Sequence, residues 1–158
     1  AMRDITRNMK VADITIVSLQ DNQPVVVEVP KDLQPYFEER FKKYMNNGGY
    51  SIHKQTPPSY RISFFFEASN KTRCAVNLAL QPGGSVSLHQ AGCYWTDGDA
   101  KMLDYLCDLL VLRATSPEKE DAIDERKEWI EQEFARLPGE LTAAEQQVRQ
   151  VFKKANPK

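Results

Sequence analysis

Histidine and cysteine are the first side chains in this sequence whose chemistry would suit a metal ion or a nucleophile. His89 and Cys93 lie four residues apart, and Cys74 lies in the preceding predicted strand. A structural zinc site needs four nitrogen or sulfur ligands, usually in close pairs such as C-x2-C, and the sequence has no such pair. A free cysteine is more often a small buried hydrophobic residue. We therefore expect no metal, no cofactor and no catalytic thiol.

Two acidic residues, Asp97 and Asp99, form a second pattern, because paired carboxylates bind divalent cations. The start of a helix explains them without an ion, since Thr96 and Asp99 have the spacing of a capping box. Glycine-rich stretches at 47–49 and 82–84 lack the spacing of a phosphate-binding loop and are predicted turns. Without a catalytic motif, we predict a protein that is not an enzyme; an enzyme with scattered catalytic residues is the third hypothesis.

A third pattern is the alternation of apolar and polar residues between positions 60 and 95. Such alternation predicts strands with one apolar and one polar face. Small alanines at 75 and 79 lie between the larger members of the polar face. That face gathers Arg61, Ser63, Phe65, Arg73, Asn77, Ser87 and His89.

An aromatic ring on a basic sheet face is a common way to hold single-stranded nucleic acid, since bases stack on the ring and guanidinium groups meet phosphates. The plainer interpretation is that a helix covers Phe65 and that the arginines are solvated. We favour the plainer interpretation, because the aromatic-rich signature of an RNA-recognition sheet is missing. The candidate partner contacts of this face are Arg61, Phe65, Arg73, Asn77 and His89.

The strands and helices predicted to position these residues indicate an α+β fold. An antiparallel sheet of five or six strands is expected from an N-terminal hairpin over 11–29 and a meander over 60–95. The meander is interpreted as three strands, the third with a β-bulge near Gly92, because its alternation changes parity there. Helices over 32–46 and 98–113 are predicted to pack against the sheet. The second is so apolar that it should lie between two layers.

The last part of the chain, 117–155, predicts a charged αα-hairpin. Ser116-Pro117-Glu118 has the residue types of a helix start, and Thr142 and Glu145 have the spacing of a second capping box. Both helices carry thin apolar seams, which need a third surface to cover them. Trp129 lies off the seam and is a candidate contact for a partner or for a second copy in a homodimer.

Length and composition set the remaining expectations. A chain of 158 residues with 41% hydrophobic content suits a single domain over 1–158, with 1–10 flexible or left from cloning. Either Met2 or Met9 is expected to begin the native chain. Lys and Arg number 21 against 22 Asp and Glu, so there is no basic excess for duplex binding. Three cysteines and the lack of a signal peptide or apolar span favour a cytoplasmic protein away from membranes.

These observations lead to a ranking of functions. The leading hypothesis is a small, non-enzymatic binding or regulatory protein that contacts another protein or itself. The alternative is a single-stranded nucleic-acid-binding protein that uses the polar face of the meander.

Overall fold

The computed structural model describes residues 10–20, 23–46, 50–51, 57–68, 71–82, 85–88, 93–96 and 98–154. Its strands are β1 (Lys10–Ser18), β2 (Val25–Glu28), β3 (Tyr50–Ser51), β4 (Tyr60–Glu67), β5 (Arg73–Gln81), β6 (Ser85–Leu88) and β7 (Cys93–Thr96). Its helices are α1 (Gln34–Asn46), α2 (Gly98–Thr115), α3 (Glu120–Arg136) and α4 (Ala143–Lys154).

The strands form one sheet in the order β2-β1-β4-β5-β6-β7-β3, and every neighbouring pair is antiparallel. The predicted α+β class is therefore confirmed, with the N-terminal hairpin and the meander in one sheet. β1 joins the two parts of the sheet, because it pairs with β2 on one side and with β4, the first strand of the meander, on the other.

The inner face of the sheet holds the hydrophobic core. Tyr60, Ile62, Phe64 and Phe66 alternate along β4 and are all buried, as the period of a strand requires. Phe41 of α1 lies over this row, with its ring centroid 4.5 Å from that of Phe64 and 5.4 Å from that of Phe66. α2 lies on the same side, since the Tyr60 hydroxyl donates a 2.9 Å hydrogen bond to Asp108.

Helices α3 and α4 form a further layer beyond α1 and α2. The ring of Phe134 in α3 lies 6.5 Å from that of Tyr36 in α1, and Trp129 lies 5.5 Å from Tyr105 in α2. The seams of both helices belong to the main core, with these buried members: Ile123, Ile130, Phe134, Val148 and Phe152. The surface that covers the thin seams is thus supplied by the chain itself.

The predicted third strand of the meander is wrong in one respect, because it is two strands. β6 and β7 pair with each other in antiparallel register, from Ser85 opposite Thr96 to Leu88 opposite Cys93. The chain reverses between them, and this reversal accounts for the change of parity that we attributed to a bulge near Gly92. Gly92 itself lies outside the described residues.

The start of α3 also differs from the prediction. The stretch 116–118 belongs to a turn closed by a 3.0 Å hydrogen bond from the Lys119 N–H to the Ser116 carbonyl, and the helix begins at Glu120. Proline fits such a turn as well as it fits a first helical turn.

The capping box of α4 is confirmed, because both of its reciprocal hydrogen bonds are present. The Thr142 N–H donates to Glu145 Oε1 at 2.8 Å, and the Glu145 N–H donates to Thr142 Oγ1 at 3.1 Å.

A buried ion pair joins α1 to α4. Arg40 and Glu145 are 6% and 7% exposed, and Arg40 Nη2 lies 3.5 Å from Glu145 Oε2. Arg40 also pairs with Glu39 and stacks over the Tyr36 ring at 4.8 Å. A buried charge is unfavourable unless an opposite charge lies beside it. Removing one partner of a buried ion pair therefore destabilises the fold by far more than the intact pair stabilises it.

We expect Arg40→Met to lower the free energy of unfolding by about 3–5 kcal/mol, because it leaves the buried Glu145 carboxylate without its cation. The double variant Arg40→Met/Glu145→Gln should lose less than this single variant, since no uncompensated charge remains at that position. Urea denaturation of the wild type, both single variants and the double variant measures this coupling. Strictly additive losses would contradict the interpretation.

Candidate functional site

The outer face of the sheet brings four of the predicted partner contacts together. On β4 and β5, Arg61 lies opposite Ala79, Phe65 opposite Ala75, and Asn77 opposite Ser63. Arg73 follows at the end of the same pair of strands, opposite Glu67. The alternation of residues in the sequence thus corresponds to one continuous surface, which we call the outer face.

None of the described helices covers Phe65. α1 and α2 lie on the inner face, and α3 and α4 pack on these two helices. Phe65 is half-buried beside the exposed Ala75. The expectation that a helix would cover this ring is wrong, because all the large alternating residues of β4 that attract helices point the other way.

Two hydrogen-bonded polar pairs lie on the outer face, one between β5 and β6 and one between β4 and β5. Ser87 is 1% exposed and accepts a 2.9 Å hydrogen bond from the side-chain amide of Gln81. Ser63 donates to Asn77 Oδ1 at 2.6 Å. These pairs meet the requirement that buried polar groups be hydrogen-bonded, so they rigidify the face and need no ligand.

The charges of the outer face are balanced. Its described strand residues include three basic side chains, Lys10, Arg61 and Arg73, and three acidic ones, Asp13, Glu28 and Glu67. Two of the six are neutralised by each other, since Arg73 Nη2 lies 3.0 Å from Glu67 Oε2. The Asp13 carboxylate lies 3.1 Å from the ammonium of Lys31. The surface therefore lacks the dense positive field that a nucleic-acid backbone attracts.

Arg61 is the exception among the arginines of this face. Its side chain is half-buried between the cross-strand neighbours Val17 and Ala79, both buried. Its Nε–H is buried, and no described residue accepts a hydrogen bond from it. An unsatisfied buried donor costs about 1–3 kcal/mol, so this arginine weakens the fold where it stands.

Of the remaining two predicted contacts, one is not among the described residues and the other lies on α3. His89 falls outside the described residues, as do the side chains of Cys93 and of the predicted acidic pair at 97 and 99. Trp129 is half-buried on α3, where its ring contacts Tyr105 and lies 4.9 Å from the guanidinium of Arg126. Its contacts hold α3 to α2, and its role at an interface stays a prediction.

A cluster that sequence reasoning missed lies between the sheet, α2 and α3. Asp108 accepts hydrogen bonds from the Tyr60 hydroxyl and, at 2.8 Å, from Arg126 Nε. One turn earlier on α2, burial and then the nearby Asp108 charge raise the pKa of Asp104 above its usual value. Both aspartates are among the few polar residues of the apolar helix α2, but their partners are distant in sequence.

One described cysteine lies in the core and is unreactive. Cys107 is fully buried, and burial followed by the charges of Asp104 and Asp108 raises the pKa of its thiol well above the usual value. A thiol held protonated is a poor nucleophile and a poor metal ligand. Within the described residues, no group of three or more His, Cys, Asp or Glu side chains is arranged to hold a metal ion.

A groove of about 390 Å³ lies between α3 and α4. Ile130 and Phe152 are its apolar residues. Three acidic and three basic side chains complete the lining, and they include the ion pair of Arg149 with Glu131. The charges cancel, so the groove shows no preference for one class of ligand.

Comparisons with protein-family models, with curated proteins and with solved structures give no match for this chain. None of the described helices is long and apolar enough to span a membrane.

Asp104→Asn should stabilise the protein at neutral pH. The folded state raises the pKa of this carboxyl, so the charged form is penalised on folding above that pKa, and the penalty disappears once the pH falls below the unfolded value of about 3.9. Thermal melts of both proteins across this pH range test the expectation, with Glu140→Gln, an exposed loop carboxyl, as the charge-matched control. A gain that does not shrink on acidification would exclude this mechanism.

Arg61→Met should also stabilise the fold, since it keeps an unbranched side chain between Val17 and Ala79 and removes the unsatisfied donor. We expect a gain of about 1 kcal/mol, or a rise in Tm of about 2–4 °C. Arg73→Met is the matched control: its exposed pair with Glu67 contributes about 0–1 kcal/mol, so Tm should stay level or fall slightly. A lower Tm for Arg61→Met would show that the guanidinium is satisfied.

Proposed function

We propose that the protein is a non-enzymatic binding protein that contacts a partner protein through the outer face of its sheet. The observation that carries the proposal is the one-sided arrangement of the fold, in which all four described helices lie beyond the inner face. The opposite face has a half-buried aromatic ring, an arginine whose Nε–H has no acceptor among the described residues, and two pairs of hydrogen-bonded polar side chains. Arginine and aromatic residues are enriched among the energetic anchors of protein interfaces.

The balance of charge favours a protein partner over nucleic acid. A site for single strands combines stacking rings with a positive groove that follows the phosphates. Here Phe65 has Asp13 as its cross-strand neighbour, and Arg73 is held by Glu67. A polyanion crossing this face would meet as many acidic as basic strand residues, so single-stranded nucleic-acid binding remains the alternative proposal.

The chemistry of the described residues supports a non-enzymatic role. Cys107 is held protonated in the core, and the polar pairs of the outer face are satisfied by one another. An enzyme with scattered catalytic residues is the third proposal. A cytoplasmic location is part of the leading proposal, because three cysteines at unrelated spacings do not have the sequence pattern of a disulfide framework.

Site-specific photo-crosslinking in the native host tests the leading proposal. A photoreactive residue at Ala75, which is exposed beside Phe65, should yield a defined protein adduct. The same residue at Gln147, exposed on α4, is the matched control and should yield none. Adding Phe65→Ala should abolish the Ala75 adduct while the variant stays folded by thermal melt. Equal adducts at both positions, or adducts at Gln147 alone, would move the interface away from the outer face.

Fluorescence anisotropy with mixed-sequence single-stranded DNA and RNA tests the alternative. The balanced charges predict binding no tighter than the non-specific range of about 10⁻⁴ to 10⁻⁶ M at physiological salt. If nucleic acid were the ligand, Phe65→Ala would cost about 1–3 kcal/mol of binding free energy through lost stacking. Tighter binding at moderate salt that folded Phe65→Ala loses would replace the protein partner by a nucleic acid.

A further inference from the structure

We infer that the free edge of β2 pairs with the same edge of a second copy, so that two molecules form one continuous antiparallel sheet. The two-fold axis of this dimer passes through Val26, which lies opposite its own counterpart. The backbone groups of this edge lie beside the outer face rather than on it, so either contact can exist without the other.

The backbone groups of β2 that point away from the sheet follow from its pairing with β1. The Val29 N–H donates a 2.9 Å hydrogen bond to the Ile14 carbonyl, which continues the register of the two strands. Hydrogen-bonded and non-hydrogen-bonded pairs alternate in an antiparallel ladder, so Val27 also directs its N–H and C=O to β1. Val26 and Glu28 direct theirs outward. Because β2 is the first strand in the sheet order, no described strand pairs with this edge.

Two prolines limit the outward groups to the middle of the strand. The same alternation places Pro24 and Pro30 on the outward side, and proline has no N–H to donate. The Pro30 carbonyl is also occupied, since it accepts hydrogen bonds of 3.0 and 3.1 Å from two backbone N–H groups around the start of α1. A second strand therefore finds the complete backbone groups of Val26 and Glu28 and the carbonyl of Pro24. A short edge flanked by prolines resists indiscriminate pairing, so only a strand in a matching register can bind.

Self-pairing about a two-fold axis can be centred on Glu28, on Val26 or between them. Glu28 opposite its own copy brings like charges face to face and leaves Val26 opposite Pro30, which has no free backbone group. An axis between the two residues pairs Val26 with Glu28 of the copy and sets a valine against a carboxylate. An axis through Val26 pairs the two valines with each other, and the Glu28 N–H then meets the Pro24 carbonyl of the copy.

The side chain of Val26 favours the axis through this residue. Val26 is 66% exposed and is the only exposed large hydrophobic residue in the described part of the chain. In this register it meets an identical β-branched side chain, and such cross-strand pairs stabilise a sheet. On the inner side Val25 lies opposite Val27 of the copy, and Val27 already packs against the core. The middle of the edge is therefore complementary to itself in both its backbone groups and its side chains.

Analytical ultracentrifugation of the full chain, from about 10 µM to 1 mM protein, tests the dimer. An edge contact belongs to the small, weak class of interfaces, so we expect half-dimerisation near about 0.1 mM. Val26→Lys should raise this midpoint by at least about tenfold, because it sets two like charges directly opposite each other. Ala75→Lys, at an exposed position on the outer face, is the matched control and should leave the midpoint unchanged. Thermal melts show that both variants fold.

Single cysteine substitutions test the register. Opposite residues of a hydrogen-bonded antiparallel pair have Cα atoms about 5.5 Å apart, within the reach of a disulfide. Val26→Cys should therefore form a covalent dimer under mild oxidation. Glu28→Cys should form little, since in this register its copy lies about 13 Å away along the strand. The wild type, oxidised in parallel, gives the background from the native cysteines.

Backbone amide exchange measured by NMR locates the contact on the strand. At about 1 mM protein, the N–H groups of Val26 and Glu28 should exchange more slowly than in dilute solution, because the copy accepts hydrogen bonds from them. The N–H of Val27 donates to β1 and should be protected equally at both concentrations. The concentration dependence should disappear in Val26→Lys.

The outcomes separate the edge from other surfaces. A protein that sediments as a monomer throughout this range, or a dimer that Val26→Lys leaves intact, would overturn the inference. A Glu28→Cys dimer that forms as readily as the Val26→Cys dimer would reject the axis through Val26. A monomer whose photoreactive residue at Val26 captures a different protein in the native host would assign the edge to a strand of that protein. The proposed function is tested separately, by the adduct at Ala75.

Discussion

The alternation of side chains along β4 is the constraint on which the rest of the structure depends. Four large apolar residues point to one side of this central strand, so every helix that buries apolar area must approach from that side. α1 and α2 occupy the inner face, and α3 and α4 can only pack on them. The outer face is left to short polar residues and to Arg61 and Phe65. Its character as a surface therefore follows from the core that it opposes.

Polar contacts fix the layers at the points where the apolar seams are too thin to do so. The ion pair of Arg40 and Glu145 joins α1 to α4. Asp108 accepts hydrogen bonds from Tyr60 of the sheet and from Arg126 of α3. Asp108 has two hydrogen-bond donors and Glu145 has a cation, and buried polar groups with such partners help to specify one arrangement of packed elements. This arrangement is unfavourable for Asp104, because its burial and the nearby Asp108 charge disfavour its charged form.

Features that depend on residues close together in the chain could be predicted from the sequence. Strand alternation predicted β4 and β5 and the residues they bring to one face, and three-residue spacing predicted the capping box at Thr142. The reversal between β6 and β7 was missed, since a change of parity has the same appearance for a bulge and for a turn. The remaining features depend on pairing between distant residues. Glu67 neutralises Arg73, while the Nε–H of Arg61 has no acceptor among the described residues, and this difference depends on strand register and side-chain geometry.

Two arginines on adjacent strands thus differ in a way that their residue type does not predict. Arg73 is exposed and paired with Glu67, so its removal should change the stability of the folded state little. Arg61 is half-buried with a donor unsatisfied, and an apolar side chain at that position would suit the fold better. In most positions of a protein, the residue type suits its place in the fold. The few positions where it does not are those at which function is expected.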